Sequence, residues 1–343
     1  MEGEGDEIPG NGEESMQVNQ TQASLLNERE VVRRAGKDCI NEFLRNHHCY
    51  DVVKHSGKVV VFDASISVQL AFYALVEHDM PAAPLWDSRK RKFVGLMTVT
   101  DFIDILRHYS RNGVAVEQLA SKSISEVLSE PEGDRLAQED FVHVDAEATL
   151  SCAASMFQDR RVKFLPIIVP GRATILALIS HVEILEFLVT TFREQQPLFD
   201  DPISELRIGI FSNSSRSVVT VHEHACLSEV LDLLETQGIG AVPIVDDERR
   251  VVGIYSRSDI TFLATAANPE GVLKNLDCRL CDILGQPGNE GLRDKLITCS
   301  PDDTLQTVFE KFADYRFKRI VCVDAESRCR GIISVSDLLA YFL

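Results

Sequence analysis

The sequence predicts an α/β fold assembled from four tandem copies of one unit, grouped into two pseudo-symmetric modules. Two observations predict it. First, the phrase Gly95-Leu-Met-Thr-Val-Thr-Asp101 returns as Gly253-Ile-Tyr-Ser-Arg-Ser-Asp259 and as Gly331-Ile-Ile-Ser-Val-Ser-Asp337. A fourth version, Ala177-Leu-Ile-Ser-His-Val-Glu183, fills the gap with alanine for glycine and glutamate for aspartate. The carboxylates recur about every 80 residues, which marks an internal repeat. Second, the same series of patterns precedes each phrase. A strand-like piece comes first (Val59 to Phe62, Phe141 to Val144, Val218 to Val221, Leu296 to Cys299). A helical pattern such as Leu227, Val230, Leu231 and Leu234 follows, and then an apolar run such as Val242-Pro-Ile-Val245. The unit reads strand, helix, strand, turn, strand, helix, and it needs a partner to cover its second sheet face.

In order, residues 1–25 are polar and acidic, with Pro9 and four glycines, and are expected to be disordered. Residues 26–46 form a helical lead-in. The repeats are assigned to 47–118, 119–196, 197–267 and 268–343. An acidic linker around Ser129-Glu-Pro-Glu-Gly-Asp134 leads to the second, and a looser stretch from Asn268 to Asn289 opens the fourth. Phe192 to Asp201, with Pro197 and Pro202, marks the break between two pairs of repeats.

The 343 residues are 45% hydrophobic, enough for a core in two or more domains, and the net charge is −18. That charge argues against a nucleic-acid or anionic-membrane partner, whose affinity comes from Lys and Arg meeting phosphates. No signal peptide and no run of about 18 apolar residues is visible, so a soluble intracellular protein is expected, in the cytoplasm with the nucleus also open to it. Nine scattered cysteines suit a reducing compartment. Cys278-x-x-Cys281 lacks a second pair at zinc-finger spacing, and His222-x-His224 and His47-His48-Cys49 are equally weak as metal sites. No metal site is assigned.

The repeated carboxylate has two readings, both open. In one it belongs to a helix N-terminus, with Thr100, Ser258 and Ser336 accepting from free backbone N–H groups. In the other it accepts from both hydroxyls of a ribose, while neighbouring hydroxyls and amides face a phosphate. No nucleophile–base constellation, P-loop or dinucleotide fingerprint stands out, so an enzyme is not supported.

These phrases resemble cystathionine β-synthase (CBS) repeats. With Cys49-Tyr-Asp51, Lys58-Val-Val-Val-Phe-Asp63, Ala82-Ala-Pro-Leu-Trp-Asp87 and Phe93-Val-Gly-Leu-Met-Thr-Val-Thr-Asp-Phe102, residues 40 to 343 are similar to the γ regulatory subunits of AMP-activated protein kinase. The resemblance implies four CBS repeats forming two Bateman modules in a flattened disc. It implies a non-catalytic subunit that binds AMP, ADP and ATP as regulatory ligands, needs no cofactor, and joins a catalytic α and a scaffolding β subunit. The rival reading is a free-standing CBS sensor of adenylates or S-adenosyl compounds that serves another partner.

The family's ribose aspartates correspond to Asp101, Asp259 and Asp337, and the second repeat lacks one in the family as here. The phosphate side departs. Pro81 stands where the family has arginine, and Lys163-Phe164 replaces a His-Arg pair. A second such pair becomes Lys318-Arg319, which keeps the charge. Ile239-Gly240-Ala241 replaces Val-Ser-Ala, and Ile210 replaces a threonine. A hydrogen bond to a charged group contributes roughly 1.5–3 kcal/mol, so losing two arginines costs about a hundredfold to ten-thousandfold in affinity. Weak or selective nucleotide binding is expected. The fourth repeat is expected to be the best site, with Asp337, Ser334 and Ser336 toward the ribose and Lys318 and Arg319 toward phosphate. The other candidates are Asp101, Thr98 and Thr100 in the first repeat, Lys163 in the second, and Asp259, Ser256, Arg257 and Ser258 in the third.

Overall fold

The computed structural model describes residues 11–54, 59–78, 80–111, 116–130, 141–192, 197–212, 218–257, 259, 278–284, 296–315 and 318–343. The chain starts with α1 (Asn11–Asn46), so residues 11–25 are helical where composition led to an expectation of disorder. Glu13, Glu14, Met16, Gln17, Ala23 and Leu25 are good helix formers, and the acidic, glycine-bearing composition around them hid the propensity. Near its end α1 buries Ile40 and Leu44. Arg33 Nε meets Asp201 Oδ2 at 2.6 Å, Asn41 Nδ2 donates to Phe342 O at 2.8 Å, and Lys37 Nζ lies 3.6 Å from the centroid of the Tyr341 ring. The first helix is thereby tied to the last.

The first repeat contains β1 (Phe62–Asp63), α2 (Val68–Glu77), β2 (Ala82–Asp87), β3 (Lys92–Thr98) and α3 (Val99–Arg111), followed by α4 (Val116–Ser121) and α5 (Ile124–Leu128). β1 runs parallel to β2, with Phe62 opposite Leu85, and β2 runs antiparallel to β3, with Ala82 opposite Thr98. The second repeat has β4 (Val144–Asp145), α6 (Leu150–Arg160), β5 (Leu165–Ile168), β6 (Ile175–Ile179) and α7 (His181–Thr191), with the same pairing. The third contains α8 (Ile203–Leu206), β7 (Ile210–Phe211), β8 (Val221–His222), α9 (Leu227–Thr236), β9 (Ala241–Val245) and β10 (Val251–Ser256). The fourth has α10 (Leu280–Leu284), β11 (Thr298–Cys299), α11 (Leu305–Tyr315), β12 (Arg319–Val323), β13 (Cys329–Ser334) and α12 (Val335–Phe342). The strand-like piece that opens each unit is paired over only two residues where the sequence suggests four, and each such strand lies at a sheet edge.

Leading segments are exchanged within each pair of repeats. Cys49 to Val52, assigned to the first repeat, bonds and buries against the second: Cys49 N donates to Ala148 O at 2.8 Å. α5, assigned to the second, lies in the core of the first through Ile124 and Val127. β7 adds to the fourth repeat's sheet, with Gly331 opposite Phe211, while α10 packs Leu280 and Ile283 into the core shared with the third. Each lead is a short helix too small to hold its own core, so it covers the open edge of its neighbour.

The cores also cross the break. One joins repeats one and three: Phe72, Leu75, Phe102 and Ile105 with Leu227, Val230, Leu231 and Leu234. A second joins repeats two and four with α1: Leu150, Phe157, Leu185 and Leu188 with Leu305, Phe309, Leu338 and Phe342. Helix α7 packs on both α11 and α12.

Candidate functional site: a mixed-charge centre

In chain order, the first, second and fourth phrases are each a strand end turning into a helix, and the third is a strand end whose continuation lies largely outside the described residues. In all four the carboxylate bonds back to the residue three places before it. Asp101 Oδ2 accepts from Thr98 N at 2.7 Å and Thr98 Oγ1 at 2.8 Å. Asp259 Oδ2 accepts from Ser256 N and Oγ at 2.8 and 2.9 Å, and Asp337 Oδ2 from Ser334 N and Oγ at 2.8 and 2.6 Å. Glu183 does the same for Ser180, with Ser180 N at 2.8 Å. Serine or threonine thus caps with the acid three residues on, a capping box. In the first and fourth phrases the capping hydroxyl is the one three places before the acid, and not Thr100 or Ser336 as the pattern suggested. Ser336 Oγ instead lies 2.7 Å from Ser334 Oγ, and Ser258 lies outside the described residues. One oxygen suffices for the box. The boxes at Asp101 and Asp337 use Oδ2, so the capping and ribose readings are compatible there.

The helix starts point their charges at one another across the repeats. Burial raises the Asp101 carboxyl above its ordinary pKa, opposed by the bonds from Thr98 and by Lys163 and Arg257. Asp104, one turn along α3, is raised by burial as well and pairs with Arg257, Nη1 to Oδ2 at 3.5 Å. Lys163 is an exposed residue whose ammonium is crowded by protein. That crowding and then Arg257 lower its pKa, with Asp101 and Asp104 pulling upward. Burial also lowers Arg319, which lies in the field of Asp259 and Asp337. Its guanidinium occupies the space over Gly240, where a Cβ would come to 2.5 Å from Nη2.

The predicted residues therefore divide. Asp101, Lys163, Arg257, Arg319, Asp259 and Asp337, drawn from all four repeats, share one mixed-charge centre. Lys318 stands beside it, its Nζ 5.7 Å from the Phe164 ring centroid, a cation–π contact between repeats four and two. The sequence reading missed Asp104 and His181. Asp104 follows Asp101 by three residues, the spacing of one helix face. His181 occupies the variable place of the second phrase and senses Asp337 and Glu183, yet burial holds its pKa down at about 4.

Beside Asp101 a crevice lined by Val68, Leu85, Ile105 and Val127 has about 20 Å³ of free volume, room for one water. A groove of about 1330 Å³ lies at the outer end of the fourth repeat, lined by Arg207, Phe211, Lys311, Asp324 and Arg330. Among the described residues no group of histidines, cysteines and carboxylates could hold a metal ion, and no helix is long and apolar enough to cross a membrane.

Comparison with known proteins agrees with this architecture. The CBS domain family matches residues 210–264 and 292–343. The chain is 34% identical over 341 residues, 97% of its length, to the 5'-AMP-activated protein kinase subunit gamma of Dictyostelium discoideum. It is 29% identical over 90% of its length to subunit gamma-3 of Bos taurus. The chain spans 57% and 60% of these two relatives. A solved structure from Methanocaldococcus jannaschii, described as a candidate archaeal homologue of g-AMPK, aligns with 86% of this chain and 100% of its own, at 18% identity and a TM-score of 0.68. A conserved protein from Pyrococcus horikoshii aligns with 87% of this chain and 100% of its own, at 16% identity and a TM-score of 0.51. Both show the fold.

Proposed function

We propose that this chain, which matches the CBS domain over residues 210–264 and 292–343 and resembles a γ subunit over 97% of its length, is a non-catalytic regulatory subunit of an AMP-activated protein kinase. In this reading it senses AMP, ADP and ATP and joins catalytic α and scaffolding β subunits. The observation that carries the reading is the centre where Lys163, Arg257 and Arg319 converge among Asp101, Asp104, Asp259 and Asp337. Cations from three repeats aimed at one point suit a phosphate group, and carboxylates at helix starts suit the ribose diol. Asp337 Oδ1 receives the diol while Oδ2 keeps the cap, and Arg319 meets the phosphate.

Binding is weak in this proposal, for reasons now physical. Arg257 already pairs with Asp104, so a phosphate meets a carboxylate beside this guanidinium and gains less from it. Pro81 and Phe164 supply no donor. Calorimetric titration of the full chain with each nucleotide tests the reading: weak heats that Asp337→Ala removes support it. Absence of heat from all three nucleotides at millimolar concentration defeats the sensing role. Co-expression with α and β subunits followed by size exclusion tests the assembly, and elution of the chain alone would defeat that part.

A further inference from the structure

Two motifs that the sequence leaves without a role, Cys278-x-x-Cys281 and His222-x-His224, are brought together by the fold. Residues 223–227 run antiparallel to 278–281. Leu227 N donates to Cys278 O at 2.9 Å, Leu280 N to Ala225 O at 3.0 Å, and Cys281 N to Glu223 O at 2.7 Å. This seam sets Cys281 Sγ 3.4 Å from His224 Nδ1. The His224 amide donates to His222 Nδ1 at 3.3 Å, and His222 Nε2 lies 3.1 Å from Asp247 Oδ1. A thiol hydrogen-bonded to an imidazole, with that residue's backbone fixed by a second histidine, is a nucleophile beside its base.

We propose that Cys281 is a modification site of this chain, a thiol activated by His224 that exchanges with low-molecular-weight disulfides. The thiol proton passes to His224 Nδ1, and the sulfur attacks one sulfur of the disulfide. A new S–S bond to Cys281 forms as the old one breaks, and the departing thiolate takes the proton. The disulfide is the only co-reactant. The site is open to it, since His224 is exposed and Cys281 half-buried.

The charges around the pair are mixed. Cys281 Sγ also donates to Asp282 Oδ1 at 3.8 Å, a second acceptor that competes with His224 for the one thiol proton, and Asp247 is held by His222. Glu223 contributes its backbone oxygen to the seam. Other thiols differ. Cys49, Cys299 and Cys322 are buried, and burial pushes the Cys49 thiol up to about 12. Cys152 is more exposed than Cys281 and has no histidine contact among the described residues.

Cys152 and Cys281 therefore separate exposure from activation. The full chain is treated with the aromatic disulfide 5,5'-dithiobis(2-nitrobenzoate), then with oxidised glutathione, and labelled peptides are mapped over time by mass spectrometry. Cys281 is expected to react ahead of Cys152. His224→Gln is expected to slow Cys281 about tenfold or more while Cys152 keeps its rate. The proposal is overturned if Cys281 does not lead or if His224→Gln leaves its rate unchanged. Should that variant fail to fold, Asp282→Asn decides. Faster labelling of Cys281 on removing the competing carboxylate supports the pair, and unchanged or slower labelling overturns it.

Discussion

At His181 burial outweighs charge. The ring stands 4.4 Å from that of Phe157, and burial holds its pKa near 4 although Asp337 and Glu183 favour the charged form. In the unfolded chain the group protonates near 6.5. The unfolded state therefore binds more protons between these values. The stabilisation is complete above about pH 6.5 and is lost as pH falls toward 4, by about 3 kcal/mol in all. Asp101 and Asp104, raised by burial, act with the opposite sign near their own pKa values, so the test is a difference. Urea midpoints should fall across this window in the parent and fall less in His181→Leu; equal slopes would assign the effect to another group. Tyr255 offers a second residue-scale test. Met97, Ile179 and Ile333 hold the same place in the other phrases, and all are apolar. The Tyr255 hydroxyl is buried without a hydrogen-bond partner among the described residues. Tyr255→Phe keeps the ring and removes an unsatisfied group, so stability should stay level or rise by about 1 kcal/mol. A thermal midpoint several degrees lower would show that the hydroxyl has a partner after all.

The elements follow the sequence where one local rule decides them and depart from it where neighbours decide. Three of the four phrases announced strand ends and helix starts because spacing alone makes a capping box. The choice of hydroxyl was not legible, since both the −1 and the −3 positions carry serine or threonine in three phrases. The exchanged leads were harder to see. Cys49-Tyr-Asp51, Ile124-Ser-Glu126, Ile203-Ser-Glu205 and Leu280-Cys-Asp282 form a second repeated phrase, but nothing in its periodicity tells which neighbour it will cover. Gly240 shows the same limit. Read as a lost serine, it turns out to be the floor on which the Arg319 guanidinium lies. A Cβ there meets the far end of a flexible side chain, so Gly240→Ser should lower the thermal midpoint by no more than about 2 °C while moving Arg319. Nucleotide affinity should then fall several-fold. A variant that loses stability but keeps its affinity would place Arg319 outside the binding site.

Over the whole molecule, the break at Phe192 to Asp201 divides the sequence in a way the cores do not follow. Repeat one shares its interior with repeat three, and repeat two with repeat four. The helices α3 and α9 show the cost of separation. Arg107, buried on α3, pairs with Asp232 and reaches Glu235 on α9 at 3.3 Å. Leu227, Val230, Leu231 and Leu234 lie buried in the joint core. Exposing even half of the surface of four such side chains costs about 3–6 kcal/mol, a large share of the stability of a domain. Fragments 1–196 and 197–343 should therefore fail as folded monomers when made separately, either self-associating through the uncovered helices or aggregating. Made together, they should form a one-to-one complex whose melting approaches that of the intact chain. Arg107→Ala in the first fragment should weaken that complex, because it leaves Asp232 and Glu235 without their buried partner. Elution of fragment 1–196 as a monomer with a sharp, cooperative melt would show that the crossed cores are dispensable and that each pair of repeats folds alone.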